Sequence, residues 1–310
     1  MEKKSLRDAY GDALIEAGRK NPFVVVLDAD LSLSTKTHLF EEEFPDRFFE
    51  MGIAEQNMMG CAAGLAIGGY VPFVNTFAVF ATGRCYDQIR QSICIPKLNV
   101  KICGSSAGLS DYGDGSTHQA IDDIALMRAL PNMTVLEPCD ANEVVMMVRQ
   151  MVKIPGPVYM RLSRELLPVY MAMDDAYSVG SIATMHEGND LVVFAHGSMV
   201  MRSMLAAARL SEIGISMRVV NVGTIKPLPL EEIARHIDSV KGILVAEEHS
   251  YIGGLGEAIM GALSIQVPHE FIAVNDQFGT SARNVNDLME TYALTEQSII
   301  KSAKRIMNIS

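Results

Sequence analysis

Asn21-Pro22-Phe23-Val24-Val25-Val26-Leu27-Asp28-Ala29-Asp30 decides the fold. The apolar run from Phe23 to Leu27 has no polar alternation, so it reads as a strand covered on both faces. Asn21-Pro22 ends whatever comes before it, because proline lacks the amide donor and crowds the preceding turn. From Ser5 to about Arg19, Leu6, Ala9, Ala13 and Ala17 recur on one side of a helix. A helix, a doubly buried strand and a polar turn in that order are the beginning of an α/β layer.

The alternation continues outward from that start. The sequence predicts a helix over 54–67, the glycine pair Gly68-Gly69, a strand over 71–74, a helix over about 84–94 and a strand over 100–103. Glycine-rich polar sequence follows from 104 to 115. Ser116-Thr117-His118-Gln119 then reads as a capping box for a helix ending near Pro131. After a strand over 134–136, Asp140 and Glu143 repeat the same pattern ahead of a Val/Met-rich helix, and Val158 to Leu162 reads as another strand. The expectation is a mainly parallel, layered α/β domain over 1–168, a link over 169–180 and a smaller α/β domain over 181–310. In the second part, strands are predicted over 191–194, 217–222, 242–247 and 271–274, and helices over 199–210 and 230–237. A further helix opens at Gly253-Gly254-Leu255-Gly256.

A chain of 310 residues can bury a full core and fits two domains better than one. Its net charge of -11 disfavours nucleic acid or an anionic bilayer as the main partner, while leaving room for an anionic metabolite gripped by local arginines. The five cysteines form no CxxC pair and no even-numbered framework, which points to a reducing cytoplasm. No apolar stretch is long enough for a membrane span, and Met1-Glu2-Lys3-Lys4 leads into a polar helical pattern instead of a signal-peptide core.

Gly52-Ile53-Ala54-Glu55-Gln56-Asn57 places one carboxylate at the start of an almost uncharged run through Met58, Cys61, Ala62, Leu65 and Ile67. An acid at the edge of an apolar helix is a candidate for ligand contact, because burying it alone is costly. It equally serves to satisfy free amides at a helix start. Taken with Thr76-Phe77-Ala78-Val79-Phe80, Asp87-Gln88-Ile89-Arg90 and Asp114-Gly115-Ser116-Thr117-His118-Gln119, this stretch resembles the thiamine-diphosphate-dependent transketolase family. Arg128-Ala129-Leu130-Pro131-Asn132, Pro138-Cys139-Asp140 and Ser163-Arg164-Glu165-Leu166-Leu167-Pro168 extend the match in order. The resemblance covers nearly the whole chain, as the pyrimidine-binding and C-terminal domains of a split transketolase.

That resemblance implies the following roles. Glu55 hydrogen-bonds the aminopyrimidine of thiamine diphosphate, and Phe77 and Phe80 stack around the ring. A third aromatic is expected nearby, where Gly83 stands or where Tyr86 reaches if the turn is one residue longer. Asp30 helps align the cofactor across a subunit boundary. His118 bonds a substrate oxygen, Asp114 a sugar hydroxyl, and Arg164, with Arg7 and Ser34, the substrate phosphate. For Arg7 and Ser34, surface or capping roles are equally open. The family also implies transfer of a two-carbon ketol unit from a ketose phosphate to an aldose phosphate. A separate N-terminal, diphosphate-binding subunit is expected to hold Mg²⁺, in an α₂β₂ assembly to which the small residues Gly60, Ala63 and Gly64 give a close helix contact.

Three other outcomes remain open at this point: a 1-deoxyxylulose-5-phosphate synthase, a 2-oxoacid dehydrogenase β subunit, and a noncatalytic assembly subunit. Gly113-Asp114-Gly115 reads as substrate loop, not as a diphosphate motif, and Gly253-Gly254-Leu255-Gly256 as a tight turn or helix packing. His196 and His249 are too isolated to define a metal site, and Glu247-Glu248-His249 is expected to cap a strand end.

Overall fold

The structure, a computed structural model, describes residues 2–174, 176–238 and 240–309. Met1 of the first expected domain, Asp175 of the expected link, and Ser239 and Ser310 of the second expected domain lie outside the described residues. The opening run forms the strand Val24–Asp28, buried at all five positions. Before it, the helix Leu6–Lys20 begins at Ser5, whose hydroxyl accepts the Asp8 amide at 3.2 Å, and ends with Arg19 and Lys20 facing its negative pole.

Seven strands form the first sheet in the order Thr224–Lys226, Thr134–Leu136, Val158–Arg161, Lys101–Ser105, Val71–Phe77, Val24–Asp28, Phe48–Glu50. All neighbours are parallel except the first pair, in which a strand from the second half of the chain adds antiparallel to the edge. A second sheet has the order His269–Val274, Gly242–Ser250, Leu191–Ala195, Met217–Asn221, Ala183–His186, parallel except at the last pair. Lys3–Ser5 pairs antiparallel with Leu166–Pro168, tying the start of the first layer to its end. Two α/β layers are therefore present. Among the described residues, no helix is long and apolar enough to cross a membrane.

Several local differences from the sequence reading have identifiable causes. The strand predicted over 71–74 runs on to Phe77, and the polar Asn75 finds partners inside the sheet. Asn75 Nδ2 donates to the carbonyls of Leu27 and Phe73 at 3.0 and 3.1 Å, and Tyr10 Oη donates to Asn75 Oδ1 at 2.5 Å. The segment predicted as a helix over 84–94 is one turn, Tyr86–Gln88, widening into the π-helical stretch Ile89–Cys94.

The capping box at Ser116 is a correction. Gly115, at φ 75°, admits the 3₁₀ turn Gly115–Thr117, and the helix begins only at Asp123. Gln119 turns its amide to the carbonyls of Thr280 and Asp111, at 3.0 and 3.3 Å. At Asp140 the cap forms, its Oδ1 accepting the Glu143 amide at 2.8 Å ahead of the helix Ala141–Lys153, while Glu143 Oε2 accepts the amide of Cys139, one residue before the cap, at 2.8 Å instead of the cap's own. Glu247-Glu248-His249 is a second correction, since all three are buried within the strand Gly242–Ser250. Glu247 accepts the amides of Leu255 and Gly256, at 2.7 and 3.0 Å, and so caps the following helix instead of the strand.

Candidate active site

In a parallel sheet, ligands collect beyond the carboxyl ends of the strands. The sequence-predicted residues lie there or, for Arg7, beside it. Asp30 and Ser34 follow Val24–Asp28, Glu55 follows Phe48–Glu50, and Phe77 and Phe80 stand at the end of Val71–Phe77. Asp114 and His118 ride on the loop after Lys101–Ser105, and Arg164 follows Val158–Arg161.

Glu55 is the first residue of the helix Glu55–Ile67 and is 3% exposed. The turn before it depends on Gly52, at φ 66°. Glu50 ties this turn to Asp30: its Oε1 accepts the Gly52 amide at 2.9 Å and the Asp30 amide at 2.8 Å. Asp30 itself is exposed, at φ 62°, so its backbone is fixed while its carboxylate faces outward. Arg84 Nη1 approaches both Glu55 oxygens, at 3.3 and 3.2 Å. The Arg84 guanidinium lies 4.3 Å from the Phe80 ring centroid.

Phe77 and Phe80 are stacked, with centroids 6.0 Å apart and planes 19° from parallel. His118 stands edge-on to both, at 6.3 and 5.2 Å. Its Nδ1 meets the Thr117 hydroxyl at 2.9 Å, which leaves Nε2 as the nitrogen for another partner. Glu55, Phe77, Phe80 and His118 thus form one continuous wall, joined through Arg84. Gly83 carries no ring, and Tyr86 packs against the apolar core around Met58 and Met59. The third side chain on the aromatic wall is Arg84, which the sequence reading missed. Its signal was an isolated cation in the mostly apolar stretch 77–85, directly after the position searched for a ring.

A second cluster lies at the other end of the loop. Arg7 and Arg164 line one pocket of about 310 Å³, together with Lys36, Tyr112 and Val285. Arg7 Nη1 donates to the Ser34 carbonyl at 2.9 Å, so Ser34 orients this arginine through its backbone. Burial, and then the charge of Arg164, lower the pKa of Arg7, as expected of two guanidiniums crowded around one anion site. Arg164 Nη1 donates to Asp111 Oδ1 at 3.0 Å. Burial raises the pKa of Asp111 and the neighbouring Asp114 carboxyl adds to the rise, while Arg164 opposes it. Asp111 had not been singled out, although it lies in the same loop as Asp114.

A buried carboxylate beside two stacked phenyl rings is the donor set an aromatic nitrogen heterocycle requires, with faces for stacking and an oxygen to share a ring proton. These residues fit the pyrimidine end of thiamine diphosphate. The paired arginines fit a phosphate. Among the described residues, no group of three His, Cys, Asp or Glu side chains could hold a metal ion.

Two family models cover most of the chain. Residues 2–169 match the transketolase pyrimidine-binding domain and residues 180–299 the transketolase C-terminal domain. A protein of Methanocaldococcus jannaschii described as a transketolase C-terminal section is 42% identical, over 98% of this chain and 96% of its own length. The 6-deoxy-6-sulfo-D-fructose transketolase subunit of Clostridium sp. strain MSTE9 is 36% identical, over 99% of this chain and 95% of its own. A solved structure described as a split-gene transketolase, inactive β4 tetramer, superposes with a TM-score of 0.89 at 43% identity and 99% coverage of both chains.

Proposed function

The chain belongs to the transketolase family, as the split section carrying the pyrimidine-binding and C-terminal domains, and from that premise we propose that it transfers a two-carbon ketol unit from a ketose phosphate to an aldose phosphate. Its chemistry is the thiamine-diphosphate-dependent two-carbon transfer of that superfamily. It works with a separate N-terminal, diphosphate-binding subunit, which holds Mg²⁺ for the most part, in an α₂β₂ assembly. Support for a partner comes from the relatives that this chain covers end to end, which are themselves described as a section or a subunit. Support for self-association comes from the tetrameric relative and from the open face of the helix Glu55–Ile67, where Gly60 and Gly64 leave space for a close neighbour. The five free thiols suit a reducing cytoplasm.

The observation that carries the reading is the wall of Glu55, Phe77, Phe80 and His118 on the same sheet edge as a two-arginine pocket. Bound thiamine diphosphate supplies the electron sink for breaking a carbon–carbon bond beside a carbonyl. Glu55 shares a proton with a pyrimidine nitrogen and fixes the ring's hydrogen-bonding form. Phe77 and Phe80 hold the ring face and exclude water. His118 presents Nε2 to a substrate oxygen and moves a proton there, and Asp114 accepts from an adjacent hydroxyl. Arg164 and Arg7 bind the phosphate, with the Ser34 carbonyl holding Arg7, and Asp30 helps align the cofactor across the subunit boundary.

The test combines the chain with its separately encoded partner, Mg²⁺ and thiamine diphosphate on ketose and aldose phosphates. Glu55→Ala is expected to lower turnover by about 10²- to 10⁴-fold while assembly persists. Turnover at the parent rate in that variant sinks the assignment.

A further inference from the structure

The loop over 106–121 carries Asp111, Asp114 and His118, yet the first sheet does little to hold its middle. It leaves the strand Lys101–Ser105 through Ser106, at φ 54°, is bridged at its base by Ala107 and Gly108 to Ala120 and tied by Arg164 to Ser110 and Asp111, and beyond these carries the short turn Gly115–Thr117. Groups that act on a substrate from a loop need outside support to stay in place. Here that support comes from the second layer.

At the start of the loop, Glu248 accepts the Leu109 amide at 2.7 Å and the Ser198 hydroxyl at 2.6 Å. Gly108, at φ 67°, lies so close to that carboxylate that a Cβ would overlap it. At the end of the loop, the Ser250 amide donates to the Ile121 carbonyl at 2.7 Å. Between these points the segment over 278–285 runs across the loop. The Ala282 amide donates to the Tyr112 carbonyl at 2.8 Å, and Gln119, 4% exposed, donates to the Thr280 carbonyl at 3.0 Å. Gly279 is pressed against Gln119 Oε1 with no room for a side chain, and Gly115 backs onto Ser281. The segment is itself anchored. Tyr292 Oη donates to the Phe278 carbonyl at 2.9 Å, and Asn284 caps the helix Val285–Thr291 by accepting the Asp287 amide at 3.1 Å. Val285 then lines the pocket that holds Arg7 and Arg164.

We propose that residues 278–285 form a strap that positions the substrate loop, sets the span between His118 and the Arg7/Arg164 pocket, and so selects sugar phosphates by chain length. This rests on the reading of the site given above. A sugar phosphate gripped at both ends is sensitive to that span. The coenzyme ring is less so, because Glu55, Phe77 and Phe80 sit on other strand ends and the strap bears on that wall only through His118 of the loop. Gln119, Tyr292 and the strap act here as positioning residues.

Two variants test this in the full complex with partner, Mg²⁺ and thiamine diphosphate. Gly279→Ala pushes Gln119 off the strap, and Tyr292→Phe frees the Phe278 carbonyl with little change in volume. Gly279→Ala is expected to raise KM for sugar phosphates about ten-fold, with a smaller fall in kcat and coenzyme affinity within about two-fold of the parent. Tyr292→Phe follows the same pattern more weakly. The ranking of five-, six- and seven-carbon phosphates shifts in both. In the unliganded full chain, amide hydrogen exchange at Leu109 and Ala282 accelerates in Gly279→Ala. Unchanged exchange in that variant, or faster exchange with unchanged KM and ranking, overturns the strap. So does a joint rise in KM and loss of coenzyme affinity and melting temperature, which is the pattern of a merely structural role. A Glu55→Ala control reads the chemistry separately: turnover there at the parent rate sinks the site assignment, while the exchange data still decide whether the strap holds the loop.

Discussion

Arg161 and Arg84 each hold carboxylates, one between the two layers and the other at the edge of the first sheet. Arg161 is fully buried, and its fork reaches Asp123 at 2.9 Å, Glu137 at 2.7 Å and the carbonyls of Ala120 and Glu248 at 3.1 and 3.3 Å. Glu137 also meets His196 of the second layer at 2.6 Å. Burial alone would raise the pKa of Glu137, but Arg161 and His196 outweigh it and bring it down to about 2. Burial would lower that of His196, but Glu137 and Glu247 together outweigh it and carry it up to about 9. Arg84, by contrast, is 46% exposed and its contact with Glu55 is 3.2 Å. Water screens such a pair, and its side chain can exchange partners at small cost. The buried cluster therefore fixes how the layers meet, while the rim pair is free to be rearranged by whatever binds.

The strongest way to break this contrast is Arg161→Met. The substitution preserves bulk but strands Asp123 and Glu137 in a dry interior, and it is expected to cost about 3–5 kcal/mol in urea unfolding. A loss below about 1 kcal/mol would mean that the interior cluster is no more committed than the rim. His196→Gln sharpens the same point through pH. The folded pKa of His196, about 9, lies above its ordinary value of 6.5. Its stabilising contribution is thus fully present below about pH 6.5 and disappears as pH rises through about 9. The parent should exceed His196→Gln by about 2–3 kcal/mol at pH 6, with the difference falling away by pH 9.5. A constant difference across that range would show that the imidazole is not charged in the fold.

The sheet edge was more legible in sequence than the interior. Uniform apolar runs such as Val24 to Leu27 and Leu191–Ala195 announce burial on both faces, and Glu55 stands out because almost nothing charged follows it. Glu137, His196 and Glu247 gave no such signal, since they sit in different segments and meet only when the two sheets pack. Ser116 misled because a local cap pattern was overridden by a distant carbonyl, that of Thr280, which took Gln119 instead. The edge strand Thr224–Lys226 was invisible for a related reason, as its partner, Thr134–Leu136, lies far back in the chain. Arg84 was missed because its meaning comes from the Phe80 face and the Glu55 carboxylate together.

Arg164→Met tests the rim from the substrate side. The arginine's side chain is 43% exposed in its pair with Asp111. Asp111 is itself buried, so losing the arginine is expected to cost about 1–2 kcal/mol, well below the loss in Arg161→Met. Removing one arm of the phosphate grip is expected to raise KM for sugar phosphates by about ten- to a hundred-fold. Unchanged KM would remove Arg164 from the substrate pocket.

The smallest effect is expected from Arg84→Met, which keeps an apolar stem against Phe80 while deleting the charge beside Glu55. Glu55 is buried, but it opens a helix whose free amides and dipole still favour its charge, and the guanidinium is 46% exposed, so the pair contributes about 0–1 kcal/mol, screened by salt. The difference in unfolding free energy between parent and variant should therefore be under about 1 kcal/mol at 50 mM salt and smaller still at 1 M. The Arg161→Met difference, set in a region salt does not reach, should barely move over the same range. If Arg84→Met instead costs as much as Arg161→Met and resists salt, then Glu55 is held as firmly as the interior carboxylates, and the rim is not the exchangeable surface that binding a coenzyme there requires.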